Sequence, residues 1–157
     1  MNLTKKRLKL YLDTTIPSYV FSLDSIERMI ITRRFMAFRK SPDYEMIISD
    51  VVIEELERAP EPKRVLLLEQ VAGLPRLHMT LEAEHLANSY IRHKILPPGS
   101  LDDARHVALA TLNGADALVS WNFGHLVNVR RSLAINQLND HLNLPQIEIV
   151  TPQEVLV

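Results

Sequence analysis

Short apolar runs of β character alternate along this chain with longer stretches of helical periodicity, and that alternation restricts its fold more than any other feature. A strand followed each time by a helix returns to the sheet by a crossover, which makes the strands parallel and puts helices on the faces. The first run is Leu8-Lys9-Leu10-Tyr11-Leu12, ending at Asp13, with Lys9 suited only to its start. Met46-Ile47-Ile48, Leu77-His78-Met79, Ala117–Ser120 and Pro145–Val150 supply four more. Between them, Thr14-Thr15-Ile16-Pro17 opens a short helix, since proline is tolerated in a first turn. Asp24 with Glu27 reads as a capping box before a helix to about Lys40, stopped by Ser41-Pro42-Asp43. Val51–Arg58 reads as a helix broken by Pro60 and Pro62, with another running to about Val71. From Thr80 the stripe Ala83, Leu86, Ala87, Tyr90 and Ile91 is helical, and Pro97-Pro98-Gly99 makes a loop. Ser100–Asp103 introduces a helix with Ala104, Val107, Ala108 and Leu112 inward, which Asn113-Gly114 ends. Trp121–Gly124 turns the chain back, and a last helix covers roughly Arg130–Leu142. The expected architecture is a three-layer α/β/α sandwich around a mainly parallel sheet of about five strands.

A length of 157 residues suits one domain over residues 1–157, with no internal repeat or Gly/Ser linker to divide it. The densest apolar run, Val65-Leu66-Leu67-Leu68, falls far short of the ~18–20 residues of a membrane span. After Lys5-Lys6-Arg7 the apolar stretch meets Asp13 too soon for a signal peptide, so a cytoplasmic protein is expected. With no cysteine there is no disulfide, thiolate metal site or cysteine nucleophile. The formal net charge of −1 gives no support to nucleic-acid binding, which rests on neutralising phosphates.

Acids or amides stand at the junctions where chemistry collects in such folds. Asp13 follows the first strand, Glu54-Glu55 lie within two turns of the second, Asp102-Asp103 open the helix before the fourth, and Asn122 stands two residues past Ser120. Ligands of open parallel sheets gather at the strands' carboxyl ends, so these side chains are candidates to converge. Magnesium and manganese prefer carboxylate, amide and water oxygens. Either ion lowers the pKa of bound water and offsets phosphate charge, and a two-ion site holds its metals ~3.5–4 Å apart. Carboxylates gathered without a cation repel one another or take up a proton. Each position also has a local use: Asp13 as a helix-entry cap, Glu54 and Glu55 as solvated surface, Ser100 with Asp103 as a capping box, Asn122 as a turn residue.

Four segments, in order, resemble the motifs of PIN-domain nucleases across nearly the whole chain. Tyr11-Leu12-Asp13-Thr14-Thr15 resembles their opening strand, aspartate and hydroxyl residues. Ile47–Leu56 is similar to the second motif, whose glutamate precedes an aliphatic residue; that points to Glu55, with Glu54 the alternative. Asp103-Ala104-Arg105-His106-Val107-Ala108-Leu109-Ala110 is similar to the third, giving the role to Asp103 with Asp102 its neighbour. Ala115–Phe123 corresponds to the last, with Asn122 where aspartate is frequent, and Trp121–His125 and Thr151–Glu154 look like a subgroup. The resemblance implies a PIN-like fold and a Mg2+- or Mn2+-dependent endoribonuclease, either the toxin of a VapC-type toxin–antitoxin module or a stand-alone relative. It implies that Asp13, Glu55 and Asp103 bind the metal, Asn122 completes the shell, and Ser120 or Thr14 orients ligands. Hydrolysis would leave a 5′ phosphate. RNA is the implied substrate, a homodimer the implied state, and an antitoxin tail in the acidic groove the implied inhibitor.

His106 and His125 each follow a site residue by three, so either is a candidate to reach the phosphate, or else to satisfy local hydrogen bonds. Arg130-Arg131, Arg33-Arg34 and Lys5-Lys6-Arg7 are candidate phosphate contacts or solvated patches; Trp121 is a candidate base stack or a residue buried under the last helix. A haloacid-dehalogenase-type phosphatase needs an aspartate where Thr15 stands, and a receiver domain needs an aspartate after its third strand and a lysine near its fifth. The remaining rival is a PIN scaffold that binds RNA or a partner protein without cutting, favoured by Asn122 and the missing basic surplus.

Overall fold

The structure, a computed structural model, describes residues 5–156, so the ends of the expected domain, residues 1–4 and Val157, lie outside it. In β1 (Leu8–Leu12) Leu10 and Leu12 pack on one side of the sheet and Tyr11 on the other, as the two-residue period of a strand requires. β2 (Tyr44–Ser49) and β4 (Ala117–Val119) follow the same rule: Ile47 and Leu118 join Tyr11, while Met46, Ile48, Ala117 and Val119 join the leucines. Burial on both sides explains why Leu10–Leu12, Met46–Ile48 and Ala117–Val119 are apolar rather than alternating. With β3 (Arg76–Leu77) and β5 (Glu148–Val150) they form one parallel sheet in the order β3-β2-β1-β4-β5. Leu10 lies opposite both Met46 and Ala117, so β1 is the centre of the sheet.

Helices cover both faces. On the Tyr11 side lie α5 (Leu81–Arg92), α6 (Leu101–Leu112) and α7 (Val129–His141), contributing Leu86, Tyr90, Val107, Ile135 and Leu138 to the core. The opposite face carries α1 (Thr15–Tyr19), α2 (Ile26–Met36), α3 (Asp50–Glu57) and α4 (Lys63–Val71), through Ile16, Phe35, Val52, Leu56 and Leu67. The expected three-layer α/β/α sandwich with five parallel strands is the fold found. No helix of the described residues is long and apolar enough to cross a membrane.

Several local expectations need correction. Ser25, not Asp24, precedes α2, and it makes no side-chain capping bond, so the Asp24–Glu27 capping box is absent. The α-helix ends at Met36, and Ala37–Lys40 continues as a tighter 3₁₀ turn. The third strand is Arg76–Leu77 rather than Leu77–Met79, because Asp50 draws the next residues off the ladder: it accepts the Met79 backbone N–H at 2.8 Å and the Arg76 Nε–H at 2.6 Å. Ser100 makes no capping bond at the start of α6, and a final helix α8 (Pro152–Leu156) follows β5 where none is expected.

Candidate functional site

Strand order reverses between β1 and β4, one running on to β2 and the other to β5, and such a switch point opens a crevice at the strands' carboxyl ends. β1 delivers Asp13 to that crevice, β2 ends at Ser49, and β4 leads into Ser120. Asp13 is 2% exposed and occupied at both oxygens. Oδ1 accepts the Thr15 backbone N–H at 3.0 Å and the Thr15 hydroxyl; Oδ2 accepts the Ser120 hydroxyl. Burial pushes the Asp13 carboxyl up from its ordinary pKa, and the His106 charge and the hydroxyl donors recover only part of the shift.

Glu55 reaches the same crevice from α3. Its Oε1 accepts the Thr14 hydroxyl at 2.9 Å and lies 2.6 Å from His106 Nε2. His106 is buried in α6; its Nδ1 stands 2.6 Å from the Tyr11 hydroxyl, which stands 2.6 Å from Ser49 Oγ. Burial pulls the His106 pKa down, but the hydrogen bond and charge of Glu55, with the charges of Asp13 and Asp103, reverse this and raise it overall. Glu55 touches the imidazole, whereas Asp13, just past β1, and Asp103, on α6, act on it through charge alone.

Asp103, in the first turn of α6, accepts the Asn122 side-chain N–H at 3.3 Å through Oδ1, and its Oδ2 lies 3.1 Å from His125 Nδ1. The same His125 nitrogen lies 3.1 Å from Ser100 Oγ, so Ser100 serves the crevice rather than the helix end. Asn122 Oδ1 accepts the His125 backbone N–H at 3.0 Å, and a backbone N–H can only donate, so oxygen faces the turn and the amino group faces Asp103. Asn122 is thus both a turn residue and a partner of Asp103. Its own N–H donates to Ser120 Oγ at 2.9 Å, which links Asp13 to Asp103 through two intervening residues.

The neighbouring acids point elsewhere. Asp102 pairs with Arg58 at 3.3 Å and Arg105 at 3.0 Å, and exposed Glu54 lines a separate cleft with Glu84 and Arg105. Trp121 is buried, but against α2 rather than under the last helix: its Nε1–H donates to Thr32 Oγ1 at 2.8 Å. Arg33 donates to the Val20 carbonyl at 2.9 Å. Tyr11 and Ser49 complete the network without having stood out in the sequence. A tyrosine in a strand reads as core, and nothing in its spacing reveals that its hydroxyl meets a histidine 95 positions on.

Among the described residues no three His, Asp or Glu side chains stand close enough together to hold an ion directly. A hydroxyl, amide or imidazole separates each carboxylate from the next. The donors are nonetheless hard oxygens of the kind magnesium and manganese select, and magnesium usually keeps several waters and takes only one or two carboxylates. The residues fit an ion held by one or two carboxylates and water; they do not fit a closed cage.

No protein-family model and no curated protein matches the sequence. Solved structures match in shape. VapBC-1 from nontypeable Haemophilus influenzae matches with a TM-score of 0.59 at 14% identity, over 93% of this chain and 99% of that one. VapBC2 from Rickettsia felis, bound to a DNA fragment from its promoter, matches with a TM-score of 0.56 at 14% identity, over 92% and 98%. VapC20 from Mycobacterium tuberculosis, described as a Sarcin-Ricin loop cleaving toxin, matches with a TM-score of 0.53 at 17% identity, over 69% and 86%. Across three separate structures, then, this chain is similar in fold to VapC20 and to VapBC proteins.

Proposed function

We propose that this protein is a Mg2+- or Mn2+-dependent endoribonuclease whose site is built by Asp13, Glu55, Asp103 and Asn122. The observation that carries the reading is the arrival of three acids at the switch point of the sheet, Glu55 at 2.6 Å from buried His106 and Asp13 joined to Asp103 through Ser120 and Asn122. Acids so grouped are tolerable when something positive offsets them, and outside this imidazole a divalent cation is the usual means.

In this reading Asp13, Glu55 and Asp103 hold the ion directly or through water, with Thr14, Thr15 and Ser120 fixing the carboxylates. When bound, a divalent ion lowers the pKa of water and offsets charge on the phosphate. The chain supplies the rest. His106 keeps Glu55 turned into the crevice, backed by Tyr11 and Ser49. His125 is 46% exposed in its side chain, with Nδ1 engaged by Asp103 and Ser100, so its Nε2 is available to meet a phosphate oxygen or hand a proton to the departing oxygen. No side chain need act as a nucleophile; water breaks the phosphodiester bond.

The likeness to VapC20, described as cleaving the Sarcin-Ricin loop, supports RNA as substrate, and the VapBC structures support a toxin role with an antitoxin partner. Exposed apolar pairs, Ile26 with Ile30 on α2 and Val129 with Leu133 on α7, are the surfaces for that partner or for a second copy. The spread of the carboxylates favours a second reading, a scaffold that binds RNA without cutting it. Incubating purified protein with end-labelled RNA decides between them. Cutting that requires Mn2+ or Mg2+, leaves 5′ phosphates and disappears in Asp13→Asn is expected. RNA left intact at every metal concentration would move the assignment to the scaffold.

A further inference from the structure

A chain of net charge −1 that handles RNA must concentrate its cations somewhere, and one cleft does so. It lies between the α5–α6 connection and the start of α7, with a volume of about 490 Å³. Arg92, Lys94 and Arg131 line it beside Ile95, Pro97 and Pro98, and no carboxylate does. None of the three cations joins an ion pair among the described residues.

Two details point to a missing acceptor. Arg131 Nη1 is buried and has no hydrogen-bond partner among the described residues. A guanidinium carries only donors, so leaving one buried and unanswered is unfavourable, and a turn of this half-buried side chain towards a ligand oxygen in the cleft would remove that cost. Lys94 sits at φ 58°, in the left-handed region where glycine is the unstrained residue, so the backbone gives no reason for lysine there.

The chain ties the cleft to the carboxylate crevice at two places. Pro98 precedes Ser100 by two residues, at most ~7.6 Å of chain, and Ser100 Oγ touches His125. Arg131 lies in the first turn of α7, whose cap Asn128 accepts its backbone N–H at 3.1 Å, three residues beyond His125. We infer that this cleft binds a backbone phosphate of single-stranded RNA flanking the scissile bond, an inference that rests on the ribonuclease reading. An acidic peptide of matched charge is the competing occupant, and it has no part in the ribonuclease reading on which this inference rests.

The test is anisotropy of a labelled single-stranded oligoribonucleotide on the full-length chain, in EDTA and an Asp13→Asn background, over a salt series. Removing one cation that neutralises a phosphate should flatten the slope of log K against log salt by about 0.7. Arg92→Gln, Arg131→Gln and Lys94→Gly, the last chosen for the positive φ, are each expected to do so and to weaken binding several-fold, whereas Lys63→Gln on α4 changes neither. Unchanged slopes in all three variants, or no binding at all, would overturn the inference. So would equal affinity for a poly-glutamate peptide of matched charge. Normal binding by the cleft variants while the parent cuts RNA removes the cleft and keeps hydrolysis; weakened binding by those variants while the parent never cuts removes hydrolysis and keeps the cleft.

Discussion

Asp13 and His106 are both buried, and each has its pKa raised, Asp13 by burial and His106 by its acidic neighbours against burial. A raised folded-state pKa gives stability that is complete below the unfolded value and lost as pH rises through the folded one. For His106 that loss begins above about 6.5, and Asp13 has the same sign from about 3.9 upward. Metal-free protein should therefore melt at a lower temperature at pH 9 than at pH 6. His106→Gln, which keeps a donor towards Glu55, should remove most of the difference; a melting temperature that is flat or rises with pH would contradict the assignment. Asp13→Asn should leave metal-free protein at least as stable as the parent, because the amide keeps an acceptor for Thr15 and can donate to Ser120. The same change should lower metal-stimulated RNA cutting roughly 100-fold or more, the scale of losing one preorganised electrostatic group. Glu54→Gln and Asp102→Asn should leave cutting near the parent rate, since those acids face solvent or Arg58 and Arg105.

At the scale of elements, helix starts that look alike in sequence do different work. Thr80 accepts the Ala83 backbone N–H at 3.1 Å, so Thr80→Ala should cost about 1 kcal/mol in urea unfolding. Ser100 caps nothing and holds His125, so Ser100→Ala should cost less stability than Thr80→Ala and appear instead in RNA cutting. Leu118, fully buried in β4, should cost about 2–5 kcal/mol as alanine. Strand and helix positions were legible because burial writes itself into period: Leu10, Tyr11 and Leu12 alternate faces, and Ala83, Leu86, Ala87 and Tyr90 repeat along one side of α5. Ends were less legible. Asp24 has the chemistry of a cap, yet the chain turns at Ser25, and β3 loses its last residues to Asp50, a partner 29 positions away that no local pattern encodes. His106 follows Asp103 by three and so shares its helical face, but the Tyr11 and Ser49 hydroxyls behind it come from other strands and leave no mark in spacing.

The whole molecule places opposite charges side by side. The acidic crevice at the sheet's switch point and the cleft of Arg92, Lys94 and Arg131 are tied along the chain through Ser100 and the start of α7, and under the proposed reading this is how a chain of near-zero net charge would handle a polyanion. The fold is shared with VapC20 and VapBC structures only 14–17% identical, so what it holds constant is the position of strand ends rather than the residues on them. Everything functional then depends on whether Asp13, Glu55 and Asp103 act together on one cation. Mn2+ titration followed by electron paramagnetic resonance measures this directly in the parent and in Asp13→Asn, Glu55→Gln and Asp103→Asn. One bound class of Mn2+ in the parent is expected, with each variant weakening it about 10-fold or more. A parent that binds no Mn2+, or three variants that bind it as the parent does, would contradict the account.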